Sequence, residues 1–400
     1  MRHLWEFFST KHIVFGSGSI ARLGSVLRSL NAAHILLITD QGIKQTGIVD
    51  RVVSMLQQER FHVVLYDRAV PEPPVETAMD CYAFARSQAR TDVIVGLGGG
   101  SSIDLAKVVS LLLAHGGNPL DYAGENRVPG PITPLVAIPT TAGTGSEATS
   151  VAVLTDVPNN LKVGISDQYL RPAVALLDPE LTVGLPPYVT ACSGIDALSH
   201  AVESYMAKNY KYIQAEGDIL FQGSLPIADA LAFEAIRLIT ANLVLAVRQG
   251  SNLEARAQMM LGSLMAGMAF SNTGTAAAHA LAYPIGGLTK SPHGEVTGLL
   301  LPYVMRFNAM VEKAKMRNIA LALGVDTGGL TDQETASAVF DSIIQLLQDI
   351  GLPTKLSAIG IEEKHIPEIA EKALSIDRLI RINPRVPTQK DVEELLYSAL

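Results

Sequence analysis

The chain has 400 residues, of which 48% are apolar and 18% charged, and its formal net charge is −8. That length exceeds one ordinary hydrophobic core and predicts two domains. An acidic balance without any Lys/Arg cluster excludes nucleic acid as the main partner, because neutralising phosphates needs clustered cations.

Two distant cysteines, Cys81 and Cys192, do not make a disulfide framework, and a reducing cytoplasm is the expected compartment. Residues 1–8 contain no apolar stretch of signal-peptide length, and the apolar run 108–114 is too short to span a bilayer. No membrane partner is therefore expected.

The N-terminal half alternates strand-like and helix-like stretches. Residues 11–15 are β-branched and aromatic, and residues 20–30 read as a helix after the turn Gly16-Ser17-Gly18-Ser19. Residues 34–39 form a short apolar run of the kind a buried parallel strand needs, ending at Asp40. Helical spacing follows at 48–60, a strand at 61–66, a rigid proline-rich loop at 70–74 and a helix at 75–89. A strand at 92–97 then runs into Gly98-Gly99-Gly100-Ser101, which opens another helix. A last strand at 132–138 ends at Pro139-Thr140-Thr141-Ala142-Gly143-Thr144-Gly145-Ser146-Glu147. This repetition predicts an α/β layer with a mostly parallel sheet.

Ligands on such sheets bind at the carboxyl ends of the strands. Consecutive glycines let a backbone approach a phosphate, and the following helix adds its positive end. The triple-glycine loop is thus a candidate phosphate site, although Ser101 and Asp104 also have the spacing of a simple capping box. It matches neither the G-x-G-x-x-G fingerprint nor a P-loop. Asp40, at a strand end, can accept from ribose hydroxyls and would repel a 2′-phosphate, which favours NAD over NADP. An N-cap or turn role for Asp40 is the alternative.

The stretch 193–203 carries Asp196 and His200 four residues apart, on one helical face, with Glu203 a turn further on. A carboxylate and an imidazole so spaced can share one divalent cation. They can also be a hydrogen-bonded pair on a solvated face. His279 and His293 lie in a second polar, glycine-rich region, and the four residues together can close a shell of one Asp and three His. From residue 188 onward the spacing is helical, at 228–249, 253–270 and 309–323 and in an amphipathic stretch from residue 390.

These motifs occur in one order along nearly the whole chain: Gly98-Gly99-Gly100-Ser101-x-x-Asp104, Pro139-Thr140-Thr141-Ala142-Gly143-Thr144, Gly194-x-Asp196-Ala197-x-x-His200, His279-Ala280-x-Ala282-x-Pro284 and Pro292-His293-Gly294. In this the sequence resembles the iron-containing (group III) alcohol dehydrogenase family. The resemblance implies an α/β dinucleotide-binding domain over residues 1–185 and an all-helical domain over 186–400, the dehydroquinate synthase-like architecture, with the active site in a cleft between them. It implies metal ligation by Asp196, His200, His279 and His293. It places Gly98, Gly99, Gly100, Ser101 and Asp104 near the pyrophosphate, Thr140, Thr141, Thr144 and Lys162 along the cofactor, and Asp40 as the selector of NAD.

The implied reaction is hydride transfer between NAD(H) and a primary alcohol or aldehyde, with the metal as Lewis acid, in a homodimer. Four protein ligands leave a reacting position only at a metal that exceeds four-coordination, which favours Fe(II), with zinc as the alternative. Two features depart from the common pattern. Tyr283 stands where many members have a histidine on the proton path, which makes it the candidate replacement. Residues 211–226 read as an insertion, and with 221–229 and 279–284 they also resemble the hydroxyacid–oxoacid transhydrogenase branch, which acts on hydroxy acids. A lyase or synthase of the dehydroquinate synthase group is the more distant alternative.

Overall fold

The computed structural model describes residues 1–159, 161–214 and 217–400. Positions 215 and 216, inside the expected insertion, lie outside the described residues. The chain forms two compact units. One comprises Phe8–Gly184 with Asp218–Leu220, and the other comprises Met1–Phe7, Leu185–Gly217 and Phe221–Leu400.

The first unit is built on a six-stranded sheet. Its order is His12–Phe15, Val174–Leu177, Leu135–Pro139, Val93–Gly98, His34–Asp40 and His62–Ala69, and every neighbouring pair is parallel. The apolar runs read from the sequence are these strands, and burial on both faces explains why they are continuous rather than alternating. Ile35 and Leu37 pack into one core with Leu23, Leu27, Val52 and Leu56. Leu36 and Ile38 face the other way, into a second core with Ala78, Leu105, Val108 and Val109. A smaller sheet pairs Val151–Asp156 antiparallel with Leu161–Ser166, which also carries the short strand Gly124–Glu125. Asp218–Leu220 joins this unit through backbone contacts: Asn126 Nδ2 donates to the Asp218 carbonyl at 2.9 Å, and the Leu220 amide donates to Glu125 Oε2 at 3.3 Å.

The second unit is helical. Its central helix, Pro187–Met206, starts with Pro186-Pro187, where a missing N–H costs nothing, and is buried along almost its whole length. Around it stand Pro226–Arg248, Leu253–Thr273, Ala277–Thr289, His293–Asn308 and Lys313–Ala322. The helix expected at 309–323 therefore starts later, because residues 309–312 form the turn after His293–Asn308. By length and composition Pro226–Arg248 is apolar enough to cross a membrane. Here Ala232, Ala235, Ile236, Ile239 and Leu243 are buried in the unit, where the helix packs on Leu253–Thr273. Residues 1–7 belong to this unit as an extended strap, held where the Glu6 amide donates to Gln222 Oε1 at 2.8 Å and Gln222 Nε2 donates back to the Glu6 carbonyl at 2.9 Å.

Candidate metal centre and nucleotide loop

A helix buried on all sides should be apolar on all sides, yet Pro187–Met206 carries Asp196, His200 and Glu203 at 4%, 6% and 4% exposure. The solvated-face reading of Asp196 and His200 is thereby overturned. Three other helices meet this one. Ala277–Thr289 brings His279 in its first turn, His293–Asn308 begins with His293, and Leu253–Thr273 supplies Phe270, whose ring stacks on His200 at 4.2 Å. The close approach of His293–Asn308 depends on Gly294, because a Cβ there would fall 2.1 Å from the Cys192 carbonyl oxygen and 2.9 Å from Asp196 Cβ.

The ligand atoms converge on Asp196. Its Oδ1 lies 3.9 Å from His279 Nε2 and 3.9 Å from His293 Nε2, and its Oδ2 lies 4.0 Å from His200 Nδ1. Asp196, His279 and His293 form a group with metal-holding spacing, and His200 stacks beside it at 4.6 Å from the His279 ring. Thr297 Oγ1 donates to Asp196 Oδ1 at 2.9 Å. Burial raises the Asp196 pKa, but the imidazoles of His200, His293 and His279 outweigh it and hold the carboxyl below its ordinary range. Burial pushes His200 down to about 4, only partly opposed by Asp196, so this ring is neutral at physiological pH and fit to ligate.

Glu203 organises His279. Its Oε2 lies 2.5 Å from His279 Nδ1, and its two oxygens accept from the amides of Ala276 (2.9 Å) and Ala278 (2.6 Å). One carboxylate thus caps the N-terminus of a neighbouring helix and anchors the ring that this helix carries. An ionised carboxylate only accepts, so Nδ1 holds the proton and Nε2 presents its lone pair inward. That Nε2 is buried and, among the described residues, without a hydrogen-bond partner. A buried, partnerless imidazole nitrogen facing a carboxylate and a second imidazole fits a divalent cation. The helical period had placed Glu203 on the Asp196 side, but its role needed the contact with a helix whose first turn lies 73 to 76 residues later. Tyr283 stands beside the cluster, its ring stacked on His293 at 5.8 Å, and its hydroxyl accepts from Arg378 Nη2 at 3.3 Å.

In the α/β unit three neighbouring strands end at Asp40, Gly98 and Pro139, so Asp40, the glycine loop and Thr140 come together. Helix Gly100–His115 starts from Gly99 with no side-chain cap; the Ser102 and Ile103 amides bond the Gly99 carbonyl, and those of Gly100 and Ser101 are left open among the described residues. The capping-box reading of Ser101 and Asp104 is therefore incorrect. A Cβ on Gly100 would meet Thr144 Cγ2 at 2.6 Å, and Thr141 lies over Gly99. Thr140 Oγ1 is buried and has no hydrogen-bond partner among the described residues. Open amides, a loop with no room for side chains and an orphaned hydroxyl suit a pyrophosphate.

The remaining expected residues are placed differently. Asp40 Oδ1 caps Gln41–Gln45 by accepting from the Ile43 amide at 2.9 Å, and its Oδ2 accepts from Ser102 Oγ at 3.0 Å, so its N-cap role is realised. Asp104 turns away from the loop. It accepts from Ser146 Oγ at 2.5 Å and from the Val153 amide at 3.0 Å, tying the helix to the small sheet. Thr144 Oγ1 accepts from the Ser146 amide at 3.2 Å. Lys162 pairs with Glu72 at 2.6 Å and donates to Thr155 Oγ1 at 3.0 Å. Glu72, unremarked in the sequence beyond its proline-rich loop, also donates its amide to Ser101 Oγ at 3.2 Å and so connects Lys162 with the glycine loop.

Comparison with known proteins agrees with this geometry. Residues 10–179 match the family described as iron-containing alcohol dehydrogenase, and residues 190–400 match the Fe-containing alcohol dehydrogenase family, C-terminal. The chain is 39% identical over 387 residues to a long-chain-alcohol dehydrogenase of Geobacillus thermodenitrificans, covering 96% of this chain and 94% of that protein. It is 35% identical to the NAD-dependent methanol dehydrogenase of Bacillus methanolicus, covering 99% and 100%. A crystal structure of a 1,3-propanediol oxidoreductase superposes with a TM-score of 0.93 at 35% identity over the full length of both chains. The chain belongs to the iron-containing alcohol dehydrogenase family.

Proposed function

We propose that Asp196, His200, His279 and His293 hold the iron, and the loop 98–101 with Thr140 the NAD, of an enzyme that interconverts primary alcohols and aldehydes. The activity is NAD-linked alcohol oxidoreduction: an alcohol and NAD⁺ give an aldehyde, NADH and a proton. The observation that carries the reading is the buried, partnerless Nε2 of His279 facing Asp196 Oδ1 and His293.

When bound, iron supplies Lewis acidity toward the alcohol or carbonyl oxygen and NAD supplies the hydride acceptor. The chain's residues prepare for both. Glu203 fixes the His279 tautomer, and Thr297 orients the Asp196 carboxylate. Phe270 covers one face of His200 and keeps water from it. Tyr283 accepts from Arg378 and so retains its own O–H, which makes it the candidate relay for the proton released. The open first turn of Gly100–His115 and the cradle under Thr144 receive the pyrophosphate. Small alcohols and aldehydes are the substrates, a cytoplasmic homodimer is the form we propose, and two buried free cysteines accord with a reducing compartment.

The test is NAD reduction at alkaline pH by protein loaded anaerobically with Fe(II), against a series of linear alcohols and diols, with metal-depleted and zinc-loaded protein alongside. NADH formation that requires the metal is expected. Metal-independent turnover would remove the cluster from the mechanism.

A further inference from the structure

We propose that His34 and His62 form a second metal site, on the α/β unit, which takes one divalent transition-metal ion of the kind imidazole prefers, such as Ni(II), Cu(II) or Zn(II). The site is independent of the helical cluster and of the dehydrogenase reading.

The two histidines open neighbouring parallel strands. His34 starts His34–Asp40, His62 starts His62–Ala69, and the two are direct partners in the register. Residues opposite one another across a strand pair project to the same face of the sheet. Backbone bonds fix both positions: the His62 amide donates to the Ala33 carbonyl at 2.9 Å, and the Asp92 amide donates to the His34 carbonyl at 2.9 Å. The two rings stand 5.4 Å apart, centre to centre, at 46°. Two imidazoles on one tetrahedral ion, each bonded at about 2.0–2.1 Å, have ring centres about 5 Å apart. His279 and His293 of the helical cluster, at 5.3 Å and 61°, stand in nearly the same relation.

The neighbouring strand Val93–Gly98 brings a carboxylate at its start. Asp92 Oδ2 accepts from the amides of Ala33 and His34, at 2.9 Å each, and lies 3.4 Å from His34 Nδ1. Arg90 Nε donates to the other oxygen, Oδ1. Burial raises the Asp92 pKa, but the two amides and Arg90 outweigh it and hold the carboxyl well below its ordinary range. An ionised carboxylate only accepts, so Nδ1 keeps the proton and His34 Nε2 carries the free lone pair. Glu203 does the same for His279. His62 is exposed, and among the described residues no hydrogen bond holds its ring, so it is free to turn a nitrogen toward an ion on His34. Two imidazoles with water in the remaining positions suit borderline transition metals, whereas Mg(II) and Ca(II) demand oxygen ligands. The strand carries Asp40 at its far end, about 20 Å away, so an ion here leaves the nucleotide loop untouched.

The experiment loads the protein anaerobically with Fe(II), removes the excess and titrates Ni(II) by calorimetry, with bound iron measured by atomic absorption before and after. One further equivalent of Ni(II) should bind in the micromolar range with the iron retained. Co(II) should bind less tightly than Ni(II), and Mg(II) should give no heat. His62→Gln and His34→Gln should each weaken Ni(II) by about tenfold or more, with iron content and alcohol turnover unchanged. Asp92→Asn should weaken it about tenfold through the His34 tautomer. That carboxylate also holds two amides, so the exposed His62 is the deciding position should Asp92→Asn fail to fold. His279→Ala should spare the Ni(II) equivalent. The proposal is overturned if no equivalent beyond the iron appears, if its uptake is matched by released iron, if it survives His62→Gln unchanged or if it disappears in His279→Ala. His34 and His62 are then a cross-strand pair of rings and nothing more. Absence of alcohol turnover with this equivalent present would count against the dehydrogenase reading alone.

Discussion

The proposed metal cluster and the proposed nucleotide loop distribute their chemistry in opposite ways. In the helical unit the candidate ligand atoms belong to side chains from three helices, with Asp196, His200 and His279 buried to within a few per cent and His293 about one-third exposed. In the α/β unit the proposed site is made of backbone: a helix start without a side-chain cap and glycines with no room for side chains. Expected side chains there have turned to structural duties, Asp40 to capping and Asp104 to the interior. A site made of side chains should fail when an atom is removed. A site made of backbone should tolerate that and fail when an atom is added.

The largest effect should come from His279→Ala, which deletes the partnerless nitrogen. Lewis-acid stabilisation is worth several kcal/mol, so kcat/KM should drop about a thousandfold or more, with metal content by atomic absorption falling in parallel. Glu203→Gln is gentler, because the ligands remain. It removes the charge that holds the Nδ1 proton and caps Ala277–Thr289. Metal affinity, read by competition with a chelator, should weaken about tenfold to a hundredfold while NAD affinity stays put. Gly100→Ala tests the other site by addition. Its Cβ meets Thr144 at 2.6 Å, so NAD affinity should drop about tenfold with full metal content, while Ser101→Ala, an atom removed, should change it by less than about threefold. A larger loss in Ser101→Ala than in Gly100→Ala would end the contrast between the two sites.

The same contrast explains what could be read from the sequence. Continuous apolar runs fix parallel strands because both faces are buried, and the helical period fixes Asp196, His200 and Glu203 on one side because a helix admits only one arrangement. The hairpin Val151–Asp156 and Leu161–Ser166 was not legible: Val151 and Val153 put apolar residues on its half-exposed face, so the expected alternation is missing. The resemblance placed Asp104 near the pyrophosphate, and its spacing from Ser101 suited a capping box; its bonds to Ser146 and to the Val153 amide join segments about 40 to 50 residues apart, which no local spacing reveals. Arg378 gave no signal either. It sits in a helix of four residues, which is too short for any period, and its bond is to Tyr283, 95 residues earlier.

Behind the nucleotide loop lies a third polar region, which tests whether buried charge in the α/β unit is structural. Glu147 is 2% exposed and Lys107 fully buried; Lys107 Nζ donates to Thr149 Oγ1 at 2.9 Å and to the Val151 carbonyl at 2.7 Å, and lies 3.7 Å from Asp104. Burial pushes Glu147 up to about 7, only partly offset by Lys107, and pushes Lys107 down to about 8, partly offset by Asp104 and Glu147. A carboxyl whose folded pKa lies above its unfolded value keeps a proton that the unfolded chain has released. The native state therefore loses stability as pH rises from the ordinary carboxylate range to about 7, and the cost stays above that. Glu147→Gln should remove this slope. Relative to wild type, its stability in urea should be nearly unchanged at pH 4 and greater at pH 8, by up to about 3 kcal/mol, less whatever support Lys107 loses. Metal content and alcohol turnover should not follow the same pH dependence. If they do, Glu147 belongs to the chemistry, and the α/β unit also works through a buried side chain.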